Sequence, residues 1–368
     1  MTREGADLAV ERIDVAAYTV PTDLPESDGT LAWDSTTAIV VRCHAGGRSG
    51  LGYTYGSEAV ATLVSTKLAG LVTGRDAMEV AGAWGRMGAE IRNLGRPGVG
   101  MMAVAAVDIA LWDLKARLLG QPLVQLLPAF HAAVPVYGSG GFCSYTLGQL
   151  GDQLGGWAER GIPRVKMKLG RDPARDPARL DAARKAIGDG TELFVDANGA
   201  FAPRAAIGWA ERYAHEWGVR WFEEPVSSGD LEGMGFVREH APGGLDIAAG
   251  EYAFVLTDFA NLLEPRRVDC LQADVTRCGG ITGLLQVQGL AAGHHIDVSG
   301  HCAPAVSAHA FCAVRRLRHL EYFHDHVRVE HLLFDGVLEP EGGELRPDPG
   351  RPGHGLELKD RDAERYRV

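Results

Sequence analysis

Eight polar side chains recur at nearly even spacing along the second half of this chain. They are two lysines, five acids and one histidine: Lys166, Lys168, Asp196, Glu223, Glu251, Asp274, His301 and Glu321. From the second lysine onward the successive intervals are 28, 27, 28, 23, 27 and 20 residues, about the length of one βα unit. Most of them end a short apolar run, and the polar ends of barrel strands converge on one point. The spacing therefore predicts a single site at a barrel mouth.

The two lysines stand two positions apart in the run Val165-Lys166-Met167-Lys168. Side chains two apart on a strand share a face, so both ammonium groups should enter the barrel mouth. A lone KxK run is more typical of an exposed edge strand, but the apolar flanks favour the buried interpretation. Because like charges disfavour the second proton, we predict a lysine pKa that is lowered toward the range of a general base.

Asp196, Glu223 and Glu251 end three successive runs. Each acid alone would be typical of a helix N-cap or a surface charge. Together, with no histidine or cysteine among them, they form an oxygen-only set, which suits Mg²⁺ or Mn²⁺ better than zinc or iron. In Glu223-Glu224-Pro225 only alternate residues share a face, so one glutamate can be a ligand while the other faces away or supports it. The residues alone leave that choice open.

His301 and Asp274 lie on consecutive expected strands, close enough to hydrogen bond. A lone histidine is usually a packing residue, but an aspartate that accepts from Nδ1 would orient the ring and leave Nε2 to take a proton. His324 and His326 are a weaker metal candidate, since no third partner is evident. The glycine-rich turns match neither a P-loop nor a dinucleotide fingerprint, which argues against a NAD-dependent enzyme.

The fold class expected from these patterns is α/β, with two domains and a C-terminal segment. Eight short apolar runs separated by helix-length stretches predict a barrel of parallel strands over residues 131–331. Residues 1–130 predict an α+β unit, with an antiparallel meander and a helix from Gly100 to Leu119. Residues 332–368 lose the repeat and are expected to return toward the first domain. The acidic, proline-rich segment 21–36 predicts a mobile loop.

The composition and net charge of the chain limit the kinds of molecule that it is expected to bind. The chain has 368 residues and a formal net charge of −11, which disfavours nucleic acid and anionic membrane as partners. No run of residues is long and apolar enough for a membrane span or a signal peptide, so a cytoplasmic protein is expected. The six cysteines include no CxxC pair, so we expect them to be reduced packing residues.

The ordered set of motifs resembles the mandelate racemase subgroup of the enolase superfamily. The set consists of KxK, DANG, EEP, GE, an aspartate before a Gly-Gly turn, a histidine at the seventh strand and the glutamate of LEYF. The resemblance covers nearly the whole chain, because the segment GVGMMAVAAVDIALWDLKARLLGQPL is similar to the capping domain of that family. It implies a modified TIM barrel, (β/α)7β, with an N-terminal α+β capping domain, and a Lys or His base working with Mg²⁺.

The resemblance also implies residue roles. Asp196, Glu223 and Glu251 match the Mg²⁺ ligands, which selects Glu223 over Glu224. Lys166 matches the lysine that contacts a substrate carboxylate, and Lys168 and the His301–Asp274 pair match bases on opposite faces. Glu321 matches an acid that, when protonated, hydrogen bonds the other carboxylate oxygen. Ser139 and Asn198 occupy positions that often touch substrate, and Trp33 and Tyr55 are expected to contact it from the capping domain.

These roles imply removal of the proton next to a carboxylate to give an enediolate, whose charge a divalent cation and Lys166 would stabilise. Loss of a β-hydroxyl would then make the protein an acid-sugar dehydratase, which we favour. Reprotonation on the other face would make it a racemase or epimerase. A non-catalytic metal-binding barrel is the third alternative. The expected partners are a small carboxylate substrate and, in a homo-oligomer, further copies of the chain.

Overall fold

A closed barrel of eight parallel strands forms the centre of the protein. The structure is a computed structural model, and it describes residues 8–368. The strand order β4 to β11 is sequential, and β11 pairs with β4 to close the ring. The barrel strands are β4 Val134–Gly140, β5 Arg164–Lys168, β6 Glu192–Asp196, β7 Trp221–Glu223, β8 Asp246–Ala249, β9 Cys270–Ala273, β10 Asp297–Gly300 and β11 Leu317–Phe323.

Seven helices connect the barrel strands, so the repeat is (β/α)7β as expected. They are α6 Leu147–Glu159, α7 Asp176–Ile187, α8 Pro203–Trp217, α9 Leu231–His240, α10 Leu256–Leu263, α11 Gly280–Gly293 and α12 Pro304–Phe311. Their apolar faces and the outward faces of the strands form one large buried core. Helix α6 packs closely on β4, because a Cβ at Gly138 would lie 2.4 Å from the Trp157 ring.

The capping domain is an antiparallel sheet covered by helices. The sheet has the order β1 Arg12–Ser27, β2 Ala32–Ala45 and β3 Arg48–Tyr55, which confirms the meander. The helices are α1 Glu58–Leu63, α2 Ala69–Val72, α3 Val80–Glu90, α4 Val99–Leu118 and α5 Leu123–Leu126, with a π turn at Val64–Leu68 and a 3-10 turn at Ile91–Asn93. Helix α4 is the predicted helix, and it lies directly on the sheet: a Cβ at Gly52 would meet the Ala106 carbonyl oxygen at 2.2 Å.

The last part of the chain runs from the barrel back to the cap. It contains α13 His324–Leu333, β12 Phe334–Asp335, β13 Glu344–Leu345, β14 Glu357–Leu358, α14 Asp360–Ala363 and a 3-10 turn at Glu364–Tyr366. Strand β13 pairs with β4, and β14 pairs with β12. The final residues reach the capping sheet, where the Val368 N–H donates to the Ala17 carbonyl at 3.1 Å.

The segment 21–36 is a β-hairpin, so the prediction of a mobile loop was wrong. Strands β1 and β2 pair along it, with a register shift between Pro21 and Glu26. The turn between them is fastened by Asp28, whose Oδ1 accepts from the Thr30 N–H at 2.7 Å and the Leu31 N–H at 2.6 Å. The proline and acidic residues interrupt the alternation of apolar and polar residues by which a strand is recognised. The register shift between Pro21 and Glu26 accommodates the prolines within the paired strands.

All six cysteines are free thiols, and five of them are buried. Within residues 8–368, no helix is both long and apolar enough to cross a membrane.

Candidate active site

The parallel register brings the polar residues to one level of the barrel. Lys168 on β5 lies opposite Asp196 on β6, and Asp196 lies opposite Glu223 on β7. All eight side chains of the evenly spaced polar set are buried. The even spacing in the sequence therefore corresponds to equivalent strand ends that face a common centre.

A glycine positions the third carboxylate. Gly250, which follows β8, has a φ of 137°, and a Cβ there would lie 2.2 Å from the Gln272 carbonyl oxygen. Only glycine accommodates both the backbone conformation and the close approach to β9. Glu251 follows at once, so this tight passage sets where its carboxylate enters the site.

The two lysines form a network with the carboxylates. Lys166 Nζ lies 2.5 Å from Glu223 Oε1, 2.8 Å from Glu321 Oε1 and 3.5 Å from Asp196 Oδ2. Lys168 Nζ donates to Asp196 Oδ2 at 2.6 Å. Each ammonium group is therefore paired with at least one carboxylate within the barrel.

The charges of these carboxylates decide the protonation of the lysines, and our prediction of a lowered lysine pKa was wrong. Burial disfavours both ammonium ions, but for Lys166 the charges of Glu223 and Glu321 outweigh burial, and its pKa is raised well above the ordinary value. Asp196 has the same effect on the pKa of Lys168. Repulsion between the two lysines is present but smaller than these attractions.

The pKa of Glu321 also contradicts our expectation of a protonated acid. Burial favours the neutral form, but the charges of Lys166 and His301 outweigh it and hold the pKa of Glu321 well below its usual range. Its Oε1 additionally accepts a 2.6 Å hydrogen bond from the Ser139 hydroxyl. Ser139 therefore lies inside the site, and its expected contact with substrate stays a prediction.

Asp196, Glu223 and Glu251 are arranged to accept a cation. Each offers a carboxylate oxygen, these oxygens lie within 4.8 Å of one another, and all three residues are buried. Glu251 Oε2 is buried without a hydrogen bond, although His301 Nε2 lies 3.0 Å away. Three buried carboxyl groups clustered in this way fit a hard divalent ion such as Mg²⁺, which prefers oxygen ligands.

Glu224 lies beside this set and outside it. It follows the last residue of β7, has a φ of 39° and is buried. Burial, together with the charge of Glu251, raises its pKa well above the ordinary value. Glu223 is the glutamate whose side chain contacts Lys166. Glu223 as the metal ligand stays a prediction, which its place in the cluster with Asp196 and Glu251 supports.

His301 is held by the aspartate expected to orient it. Its Nδ1 lies 2.8 Å from Asp274 Oδ2, while the other oxygen, Oδ1, accepts from the Thr276 N–H and hydroxyl, both at 2.7 Å. Burial opposes ionisation of Asp274, but the hydrogen bond from His301 outweighs it and lowers the pKa of the carboxyl. This leaves His301 Nε2 directed toward Glu251 and Glu321.

The tip of the β1–β2 hairpin covers the barrel mouth. A Cβ on Gly29 would lie 2.3 Å from the Ala197 carbonyl oxygen and 2.7 Å from that of Leu169. The Thr30 hydroxyl donates to the Asn198 carbonyl at 3.2 Å. Asn198 itself has a φ of 44°, donates its N–H to Asp196 Oδ1 at 2.8 Å, and has a buried side-chain oxygen without a partner.

Trp33 and Tyr55 lie where the cap meets the barrel. The Trp33 indole packs edge-on against Phe142 and donates to Glu26 Oε2 at 2.7 Å. Tyr55 is buried and stacks on His326 with 3.5 Å between the ring centroids. Their contact with substrate stays a prediction. His324 instead lies near Asp23, at 3.0 Å from Nε2 to Oδ2, so the two histidines do not share one site.

Two residues of the site were missed from the sequence. Trp221 is buried inside the barrel, and its indole N–H donates to Glu223 Oε2 at 2.9 Å. The spacing of two residues on one strand could have shown that both face the interior. Cys302 lies with its Sγ 3.3 Å from both His301 Nε2 and Glu321 Oε2. Adjacency to His301 was the available signal.

The barrel, its cap and the polar centre define a member of a known family. The model of the mandelate racemase / muconate lactonizing enzyme N-terminal domain matches residues 12–128, and the enolase C-terminal domain-like model matches residues 149–363. The chain belongs to this family, in the enolase superfamily.

Individual relatives span the whole chain. A solved mandelate racemase/muconate lactonizing enzyme-like protein from Rubrobacter xylanophilus is 64% identical, with a TM-score of 0.96, covering 98% of this chain and 100% of that one. A racemase from Streptomyces coelicolor, solved with bound magnesium, is 32% identical with a TM-score of 0.91, covering 98% of this chain and 100% of that one.

Two curated enzymes are also similar. A 3,6-anhydro-alpha-L-galactonate cycloisomerase from Streptomyces coelicolor is 33% identical, covering 95% of this chain and 97% of that protein. An L-talarate/galactarate dehydratase from Salmonella typhimurium is 31% identical, covering 81% of this chain and 75% of that protein. The relatives thus include dehydratases, cycloisomerases and a racemase.

Proposed function

We propose that the protein is a Mg²⁺-dependent enzyme that removes the proton next to the carboxylate of a sugar acid and then eliminates an oxygen from the β-carbon. The observation that carries the proposal is the convergence of three buried carboxylates with two lysines and the His301–Asp274 pair. The magnesium in the solved racemase supports the choice of metal, and Mn²⁺ has the same ligand preference.

The reaction needs positive charge where a second negative charge develops. Proton removal turns the carboxylate into an enediolate. Groups that bind the enediolate more strongly than the carboxylate lower the activation barrier for this step. Bound at Asp196, Glu223 and Glu251, Mg²⁺ would act as a Lewis acid and would compete for the carboxylates that hold the lysines protonated. Lys166, which is buried between Glu223 and Glu321, is the group that we assign to a substrate carboxylate oxygen.

Two groups can exchange protons with the substrate carbon. Lys168 enters from β5, whereas His301 follows β10 and is oriented by Asp274. Because they approach from different strands of the ring, we assign them to opposite faces of the substrate. One removes the α-proton, and the other, when protonated, can donate to the departing oxygen.

Water loss is our first choice for the fate of the intermediate. The name of the dehydratase relative identifies a sugar diacid, whose β-hydroxyl is a suitable leaving group. The cycloisomerase relative suggests a second candidate reaction, because its name describes an anhydro sugar acid, in which an ether oxygen bridges two carbons of the chain. Departure of a ring ether oxygen is the same β-elimination, but no atoms are lost, so the net reaction is an isomerisation. Racemisation or epimerisation would instead follow from protonation on the other face.

Product analysis across a library of linear and anhydro sugar acids with Mg²⁺ separates these outcomes. Dehydration gives a 2-keto acid that is lighter than the substrate by one water, whereas ring opening gives a 2-keto acid of unchanged mass. An epimer without keto acid would overturn β-elimination. The Lys168→Ala variant should lose activity, while the matched variant Lys185→Ala, at an exposed lysine of α7, should retain it.

A further inference from the structure

His301, Cys302 and Glu321 form a second cluster of metal-ligating side chains beside the proposed magnesium ligands. One atom from each lies within 4.8 Å of the others, and all three residues are buried. The set differs chemically from the carboxylate set, because it offers an imidazole nitrogen and a thiol sulfur. Zn²⁺ and Co²⁺ prefer such ligands, whereas Mg²⁺ does not.

The distances between the ligand atoms match a tetrahedral ion. With Zn–S about 2.3 Å and Zn–N or Zn–O about 2.0–2.2 Å, the edges of the tetrahedron measure about 3.4–3.6 Å. Cys302 Sγ lies 3.3 Å from His301 Nε2 and 3.3 Å from Glu321 Oε2. The remaining edge, from His301 Nε2 to Glu321 Oε2, is 3.5 Å. All three edges are within a few tenths of an ångström of the ideal values.

Two further features favour an ion at this position. Asp274 holds His301 Nδ1, so Nε2 is the ring nitrogen left to bind, as in many zinc sites where an acid supports the histidine. Glu251 Oε2 lies 3.0 Å from His301 Nε2, so this carboxylate could bridge the second ion and the proposed Mg²⁺. The cluster therefore has a second carboxylate oxygen in reach.

We propose that a thiophilic divalent cation of the Zn²⁺ class binds His301, Cys302 and Glu321 and inhibits the enzyme reversibly. On binding, the Cys302 thiol releases its proton to solvent, as does His301 Nε2 where it is protonated, and the sulfur and the nitrogen become ligands. The ion occupies the Nε2 lone pair that would accept the substrate proton. The binding step does not depend on the identity of the substrate, so it stands or fails separately from the proposed function.

Cobalt is the probe, because a thiolate ligand gives Co²⁺ an intense near-ultraviolet charge-transfer band that oxygen ligands do not give. Wild-type protein in excess Mg²⁺ should develop the band with one equivalent of Co²⁺, and added Zn²⁺ should remove it. Cys302→Ser should abolish the band. The control Cys143→Ser, which changes the one cysteine that is not fully buried, should retain it. No band in the wild type, or a band that persists in Cys302→Ser, would overturn the proposal.

A second measurement uses only the wild-type protein, so its result does not depend on whether the Cys302→Ser variant folds. Zinc X-ray absorption fine structure of the protein with one Zn²⁺ and excess Mg²⁺ should show one sulfur neighbour and an imidazole. A coordination shell made only of oxygen would contradict the assignment.

Discussion

The indole N–H of Trp221 donates a 2.9 Å hydrogen bond to Glu223 Oε2, inside the barrel and below the polar centre. Lys166 contacts the other oxygen of the same carboxylate. Both oxygens of Glu223 therefore have a partner: the charged Lys166 ammonium contacts one, and the neutral Trp221 indole donates to the other. Supporting contacts of this kind orient metal ligands and tune their affinity.

Trp221→Phe should weaken Mg²⁺ binding by about 10- to 100-fold, because phenylalanine keeps most of the buried ring but removes the donor. Isothermal titration calorimetry with Mg²⁺ measures the change. Trp209→Phe is the matched control, since Trp209 lies on helix α8, outside the barrel interior. Unchanged affinity in Trp221→Phe would show that the hydrogen bond does not position Glu223.

The two proposed bases can be separated by the face on which each acts. Lys168→Ala and His301→Asn should each reduce turnover by about 10²- to 10⁴-fold, the usual contribution of a positioned acid or base. Each variant should retain α-proton exchange with only one of two substrate epimers, as read by proton NMR in D₂O. Full turnover in both variants would mean that the base assignment is wrong.

Gly29 allows the hairpin tip to sit on the barrel mouth. In Gly29→Ala the new Cβ would meet two backbone oxygens, those of Ala197 and Leu169. Overpacking of this kind costs about 1–3 kcal/mol, so KM should rise about 10-fold while Mg²⁺ affinity stays unchanged. The control Gly70→Ala adds a methyl group where no atom lies within 4 Å. Equal KM values in the two variants would argue against closure by the hairpin.

Glu330 couples the cap to the barrel through a buried hydrogen bond and should make stability depend on pH. The Tyr53 hydroxyl donates to Glu330 Oε1 at 2.5 Å, and the Ala305 N–H donates to Oε2 at 3.1 Å. Burial raises the pKa of Glu330 to about 8, although these hydrogen bonds act in the opposite direction. At neutral pH the folded protein therefore keeps a proton that the unfolded chain releases.

The consequence is a loss of stability with rising pH. The contribution is fully present below the ordinary pKa of 4.5 for this group and disappears as the pH rises toward about 8. Glu330→Gln should have a flatter dependence of Tm on pH across this window, whereas Glu239→Gln, at an exposed position, should follow the wild type. Thermal unfolding followed by circular dichroism gives the comparison. Parallel curves for wild type and Glu330→Gln would contradict the assignment.

The sequence predicted the barrel and the convergence of its polar residues because parallel register makes strand ends equivalent. Asp196 and Glu223 lie opposite one another for that reason alone. The protonation of Lys166 could not be derived in the same way, since it depends on how many carboxylates reach one nitrogen. The order of the hairpin tip was missed because the backbone that holds it, in the turn after β6, is more than a hundred residues away in the sequence.

Deuterium incorporation at the α-carbon of sugar acids in D₂O, measured with and without Mg²⁺, shows directly whether the protein removes this proton in a metal-dependent reaction. We expect wild-type protein to form 2-keto acid or to incorporate deuterium only when Mg²⁺ is present, and Glu251→Gln to do neither at the same Mg²⁺ concentration. Absence of both reactions across a broad library, with Mg²⁺ binding demonstrated by calorimetry, would contradict the proposed function and favour a metal-binding barrel without catalysis.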